Sequence, residues 1–102
     1  MARELKLPVF MHEREAFQDA IACLERYKDV VEGQGVVVHC FTGTREEACA
    51  YVKLGCYIGV TGFICMQNRG RHLRSFLAEE VVLTEHFTIS YMQNTTFLFS
   101  LL

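Results

Sequence analysis

Short apolar runs alternate along the chain with longer segments in which apolar residues recur at helical spacing. The runs 9–11, 36–38 and 56–60 carry no charged side chain. An uninterrupted apolar run rich in β-branched residues is typical of a strand buried on both faces, as in parallel sheets. The alternation of such strands with helical segments therefore predicts an α/β fold with a parallel sheet.

The segments around these strands predict helices near residues 14–31, 45–54 and 69–78. In the first helix one side is polar, and the apolar stripe on the other side consists of Phe17, Ala20, Ile21, Leu24 and Tyr27. Gly33 and Gly35 are predicted to end this helix. Upstream, residues 2–7 are typical of the last turns of a helix, which Pro8 stops.

The second helix carries start and stop signals of its own. Thr44 and Glu47 form a capping-box pattern, in which each side chain bonds the backbone N–H of the other residue. Gly55 is predicted to end this helix in the left-handed conformation. In the third helix, the residues expected to face inward are Leu73, Phe76 and Leu77.

The pattern weakens after residue 78. Residues 81–83 and 87–91 each have the composition of a strand, but no capped helix follows them. Residues 93–96 are predicted to form a polar turn before the apolar end of the chain.

Composition limits the classes of function. The chain has 102 residues, 51% of them hydrophobic, which is enough for one domain with a core. A net charge of −2 provides no basic field for binding nucleic acid non-specifically. The first six residues lack a secretory signal pattern, and the apolar end is far shorter than the roughly 20 residues of a membrane span. We therefore expect no membrane association.

The five cysteines show no paired spacing of the C-x-x-C type. Their irregular positions within predicted strands and helices favour reduced, mostly buried thiols. Reduced thiols are typical of a reducing compartment, so we expect a cytoplasmic protein.

Two of the predicted strands run directly into a histidine. His12 follows the first strand and His39 the second, with a helix between them. Parallel strands joined by a crossover helix end at the same edge of the sheet, and neighbouring strands lie only about 4.8 Å apart. The two imidazoles are therefore predicted to converge on one metal ion or on a phosphate. The alternative is that they are structural or solvated loop residues.

The residues next to these histidines offer further chemistry. Glu13 and Glu15 are candidates for acid–base chemistry or metal binding, or they favour a helix N-terminus electrostatically. Arg14 is either a phosphate-binding or a surface arginine. Thr42 and Gly43 belong to a turn whose N–H groups suit an anion, whereas Thr42 also suits a helix cap. By strand alternation, Cys40 is expected to point away from His39.

Three ordered motifs resemble the TatD family of metal-dependent deoxyribonucleases. They are LPVFMHEREA at 7–16, VHCFTGTREE at 38–47 and YIGVTG at 57–62. The resemblance covers about residues 1–79 and implies part of a TIM-type (β/α) barrel, namely three to four of its eight βα units. It divides the chain into a TatD-like segment, 1–79, and a divergent C-terminal tail, 80–102.

The resemblance also implies an activity. Family members hydrolyse phosphodiester bonds with divalent metals, and several are 3′-to-5′ exonucleases on DNA. By resemblance, His12 and His39 are metal ligands, for magnesium, manganese or zinc. Glu13 and Arg14 become catalytic candidates, and the turn of Thr42 and Gly43 becomes a substrate-binding candidate. The expected partner is DNA, and the oligomeric state is left open.

Several family motifs do not occur in this chain. They are the H-x-H strand end, the glutamate of a G-E-x-G-L-D segment and the aspartate of an E-T-D-x-P segment. Neither Glu85 nor His86 matches that aspartate. An isolated chain without these ligands is expected to be inactive or nearly so and poorly stable. The alternatives are a non-catalytic fragment or isoform of such an enzyme and, less favoured, a zinc or redox module built on the cysteines.

Overall fold

The computed structural model describes residues 1–80, 87–91 and 97–100, with the part after Leu77 described by its backbone. Its helices are α1 (Ala2–Leu5), α2 (Phe17–Arg26), α3 (Lys28–Gln34), α4 (Arg45–Leu54) and α5 (Arg71–Glu80). Its strands are β1 (Val9–His12), β2 (Val36–His39), β3 (Tyr57–Val60), β4 (Phe87–Tyr91) and β5 (Phe97–Ser100). A short 3₁₀ helix, Gly62–Cys65, follows β3.

The strands form one sheet in chain order, from β1 to β5. Neighbouring strands among the first four are parallel. Consecutive parallel strands joined by helices are the repeating unit of a (β/α) barrel, so the predicted α/β class and partial barrel are confirmed. The strand predicted at 87–91 is present as β4. The strand predicted at 81–83 and the turn predicted at 93–96 lie outside the described residues.

The last strand departs from the barrel pattern. β5 pairs antiparallel with β4, with Tyr91 opposite Phe97 and Thr88 opposite Ser100. A barrel of the TIM type contains parallel strands only. The described sheet is therefore an open one that changes direction at its last strand.

The core lies between the helices and one face of the sheet. Alternation along β2 buries Val36 and Val38 on this face and leaves Val37 half-buried on the other. The helices contribute buried residues that include Leu24, Ala48, Tyr51, Leu73 and Leu77. On the opposite face of the sheet, Phe10 is 50% exposed. That face corresponds to the interior of a closed barrel.

The helix predicted at 14–31 consists of two shorter helices, which meet at Tyr27. The N–H of Tyr27 donates to the carbonyls of Cys23 and Leu24, and its backbone leaves the helical conformation. Tyr27 is 41% exposed, with the guanidinium of Arg3 5.1 Å from its ring centroid. The expectation that Tyr27 belongs to the buried stripe was therefore wrong, because the chain turns at this residue.

The predicted helix ends are only partly confirmed. Gly33 lies inside α3, and Gly35 alone ends that helix with a positive φ of 81°. Helix α1 ends before Pro8, at Lys6, whose φ is 53°. Gly55 closes α4 in the left-handed conformation, as predicted.

The capping box of α4 is confirmed. The N–H of Glu47 donates to Thr44 Oγ1 at 3.3 Å, and the N–H of Thr44 donates to Glu47 Oε2 at 3.0 Å. These two bonds satisfy donors that the first turn of a helix otherwise leaves unpaired. They fix the start of α4 directly after the loop that follows β2. Among the described residues, no helix is long and apolar enough to cross a membrane.

Candidate active site

His12 and His39 are direct register partners at the ends of two neighbouring strands. The pairing of β1 with β2 begins at Val9 and Val36 and ends at these two histidines. Their ring centroids lie 6.2 Å apart. The two imidazoles therefore converge at the C-terminal edge of the sheet, where sites form in parallel α/β folds.

Cys40 joins the two histidines. Its Sγ lies 2.9 Å from Nε2 of His39, and the ligand atoms of Cys40, His12 and His39 all lie within 4.8 Å of one another. The prediction that Cys40 points away was wrong. Strand alternation ends at His39, and Cys40 adopts a left-handed backbone with φ 53°, which turns its side chain toward the histidines.

The surroundings of His39 favour its neutral form. Its ring is half-buried and packs 4.4 Å from the ring of Phe10. Burial, and then the charge of His12, lowers the pKa of His39 below its ordinary value of 6.5. Only a neutral imidazole donates a lone pair to a metal, so this environment keeps His39 competent as a ligand near neutral pH.

An open cavity of about 650 Å³ lies beside these side chains. The four other predicted site residues, Glu13, Arg14, Thr42 and Gly43, all line it, together with His12 and Cys40. Arg69, which precedes α5, lines the cavity as well. The side chains of Arg14 and Arg69 thus border the same opening as His12.

Both carboxylate oxygens of Glu13 accept hydrogen bonds. Oε1 accepts from the N–H of Ala16 at 2.7 Å, and Oε2 accepts from the Tyr51 hydroxyl at 3.2 Å. Burial, and then the charge of Glu13, raises the pKa of Tyr51, so its hydroxyl stays a donor. Glu15, two positions after Glu13 in the same loop, has a positive φ of 54°. Glu13 therefore holds the loop between β1 and α2 against α4.

The turn of Thr42 and Gly43 is held from two sides. The carbonyl oxygen of Thr42 lies 3.3 Å from Nε2 of His72, an exposed residue of α5. A Cβ atom at Gly43 would collide with Oε2 of Glu47 and lie 2.9 Å from the Phe41 ring. Close packing therefore explains why position 43 is a glycine, independently of any ligand that the turn binds.

Comparison with known proteins assigns this architecture to a family. The profile of the TatD related DNase family matches residues 1–87. The chain belongs to the TatD family. This TatD segment is 49% identical over 77 residues to the 3′-5′ ssDNA/RNA exonuclease TatD of Shigella flexneri and 48% identical to that of Escherichia coli K12. Each match covers 76% of this chain and 29% of the relative.

A solved structure agrees with this assignment. The TatD segment is similar to a TatD family hydrolase from Entamoeba histolytica, with a TM-score of 0.66 and 27% identity. The match covers 87% of this chain and 27% of that protein. The chain thus spans less than a third of the length of the TatD relatives that it matches.

The donor set of the TatD segment fits a metal ion. It consists of two imidazoles and one thiol, whose ligand atoms lie within 4.8 Å of one another. Imidazoles and thiolates are groups that bind transition metals. Sequence reasoning missed Tyr51, which bonds Glu13, and Thr61, which also lines the cavity, and it placed Cys40 on the opposite side. Tyr51 has the spacing of an ordinary core residue, and nothing in its neighbours indicates that its hydroxyl reaches Glu13, 38 positions earlier.

Proposed function

We propose that this TatD segment contributes to a divalent-metal-dependent hydrolase that cleaves phosphodiester bonds of DNA, as a 3′-to-5′ exonuclease. The observation that carries the proposal is the register pairing of His12 with His39 beside a cavity lined by Arg14. In this proposal the two histidines hold a magnesium, manganese or zinc ion. When bound, that ion supplies Lewis acidity toward the phosphodiester.

The other side chains position the substrate and hold protons. Arg14 and Arg69 offer guanidinium groups that bind phosphate oxygens in bidentate geometry. The turn of Thr42 and Gly43 approaches the substrate backbone closely. Glu13 accepts a proton at a carboxylate oxygen, and its bonds to Ala16 and Tyr51 fix the direction from which it acts.

The complete activity requires more than this chain supplies. Within the described residues, the one group of three metal-binding side chains contains no carboxylate, and the chain covers 29% of the length of its TatD relatives. An ion held by an incomplete ligand set binds weakly and is poorly oriented. We therefore propose that residues 1–79 are a TatD-type segment, that 80–102 are a divergent tail, and that the isolated chain is inactive or nearly so.

One observation favours the alternative of a non-catalytic product. β5 runs antiparallel to β4 where a barrel would continue with a parallel strand. In this alternative the chain keeps His12 and His39 but lacks the other βα units of the barrel. None of the five cysteines forms a disulfide, which supports a reducing compartment such as the cytoplasm for either candidate.

Two nuclease assays separate these possibilities. The isolated chain, with magnesium or manganese and a labelled single-stranded DNA, is expected to show no cleavage above its His12→Ala variant. A chimera, in which the 77 matched residues replace the corresponding segment of Escherichia coli TatD, is expected to remove nucleotides from the 3′ end. In the chimera, His12→Ala should lower the rate by about 100-fold or more. A folded but inactive chimera would contradict the proposed function. An active isolated chain would contradict the proposal that this chain alone lacks part of the active site.

A further inference from the structure

We propose that Cys40 is a third metal ligand beside His12 and His39, and that the resulting site binds zinc rather than magnesium. This inference rests on the proposed function, since it uses the same two histidines. It goes further by assigning a ligand and a class of metal to this chain.

The distances between the three ligand atoms lie on either side of those in a tetrahedral metal site. Zinc bonds of about 2.0–2.1 Å to nitrogen and 2.3 Å to sulfur place neighbouring ligand atoms roughly 3.3–3.6 Å apart. In the structure, Sγ of Cys40 and Nε2 of His39 lie 2.9 Å apart, and the three ligand atoms stay within 4.8 Å of one another. Small side-chain rotations around these positions reach the tetrahedral spacing.

The backbone directs the thiol to this position. A residue continuing β2 would alternate to the core face, yet the left-handed φ of 53° at Cys40 turns its side chain to the cavity instead. A non-glycine residue in this conformation is uncommon and costs energy. The adjacent carboxylate is engaged elsewhere, because both oxygens of Glu13 bond Ala16 and Tyr51.

The chemistry of the donor set selects the metal. Magnesium prefers six oxygen ligands, whereas two imidazoles and a thiolate are typical ligands of zinc and cobalt(II). As the sulfur–metal bond forms, the thiol proton passes to solvent. Three protein ligands leave the fourth tetrahedral position for a water molecule or a phosphate oxygen.

Cobalt(II) titration of the full chain tests this assignment, because a thiolate ligand gives cobalt a charge-transfer band in the near ultraviolet. We expect the band in the wild type, its displacement by zinc and its persistence in excess magnesium. Cys40→Ser should abolish the band and weaken zinc binding by at least about tenfold. Cys65→Ser, at an exposed cysteine outside the cluster, is the matched control and should retain both.

A second measurement needs no substitution. Zinc should protect Cys40 of the wild-type chain from alkylation, read by mass spectrometry, while exposed Cys65 continues to react. A charge-transfer band that survives Cys40→Ser, displacement of cobalt by magnesium, or alkylation of Cys40 at the same rate with zinc would each overturn the inference. Cobalt binding that needs His12 but lacks the thiolate band would overturn the role of Cys40 alone, and the chimera assay would still test the nuclease.

Discussion

The buried hydroxyl of Tyr51 donates a 3.2 Å hydrogen bond to Oε2 of Glu13, which lies on the loop after β1. The two residues are 38 positions apart in the sequence. This bond connects the middle of α4 to the loop that follows His12. It ties the position of the candidate site to the packing of the core.

Tyr51→Phe should therefore lower the free energy of unfolding by about 0.5–1.5 kcal/mol, since it removes one hydrogen bond and leaves a carboxylate oxygen with one partner fewer. The ring itself should stay in place, because its edge contacts with Phe17 and Phe41 do not involve the hydroxyl. Urea denaturation measures the change. Combining it with Glu13→Gln gives a double-mutant cycle, in which strictly additive losses would contradict a direct bond.

Gly43→Ala should destabilise the chain by about 0.5–2 kcal/mol. The new Cβ would collide with Oε2 of Glu47, and that oxygen accepts the capping bond from Thr44. Gly62→Ala is a matched control, because a Cβ there meets nothing within 4 Å. Thermal unfolding of both variants should show a loss only at Gly43, and equal midpoints would refute this account of the turn.

Gly33→Ala should stabilise the chain by roughly 0.5–1 kcal/mol, because alanine favours the interior of a helix and meets open space here. Gly35→Ala should act in the opposite direction, since its φ of 81° disfavours any residue with a side chain. Chemical denaturation of the two variants gives the comparison. A shift of the same sign at both positions would show that α3 does not end at Gly35.

Alkaline pH should destabilise the chain through the buried thiol of Cys56. Burial raises the pKa of Cys56 from its ordinary 9.0 to about 11, so the unfolded chain loses this proton first. This contribution of Cys56 to the free energy of unfolding is fully present below pH 9 and is lost between pH 9 and 11, by about 3 kcal/mol. Stability measured against pH should fall less steeply over this range in Cys56→Ala than in the wild type.

The same burial predicts selective thiol reactivity. At pH 8 a disulfide reagent should modify the exposed Cys23 and Cys65 of the folded chain well before Cys56. Early modification of Cys56 would show that β3 does not sit in a closed core.

Local signals in the sequence predicted the part of the fold that depends on neighbouring residues. Thr44 and Glu47 are three positions apart, so their reciprocal bonds follow from helix geometry alone. The placement of His12 opposite His39 follows from strand lengths and from the rule that parallel strands end together. These relationships require no knowledge of distant contacts.

What the sequence did not predict depends on single backbone angles or on distant packing. Cys40 was assigned to the wrong side because alternation holds only while the strand continues, and the strand ends one residue earlier. Tyr27 fitted the helical stripe, yet the chain bends there and the ring lies with Arg3 at the surface. Such choices reflect the tertiary structure, which competes with local propensity.

The reversed direction of β5 determines where a closed barrel can form around this segment. Beyond β4 the parallel order is interrupted, so additional parallel strands fit beside β1, at the other edge of the sheet. A strand added there in parallel would end next to His12, and its last residues would reach the candidate site. The edge at which a further parallel strand would continue the barrel order is therefore also the edge next to the candidate site.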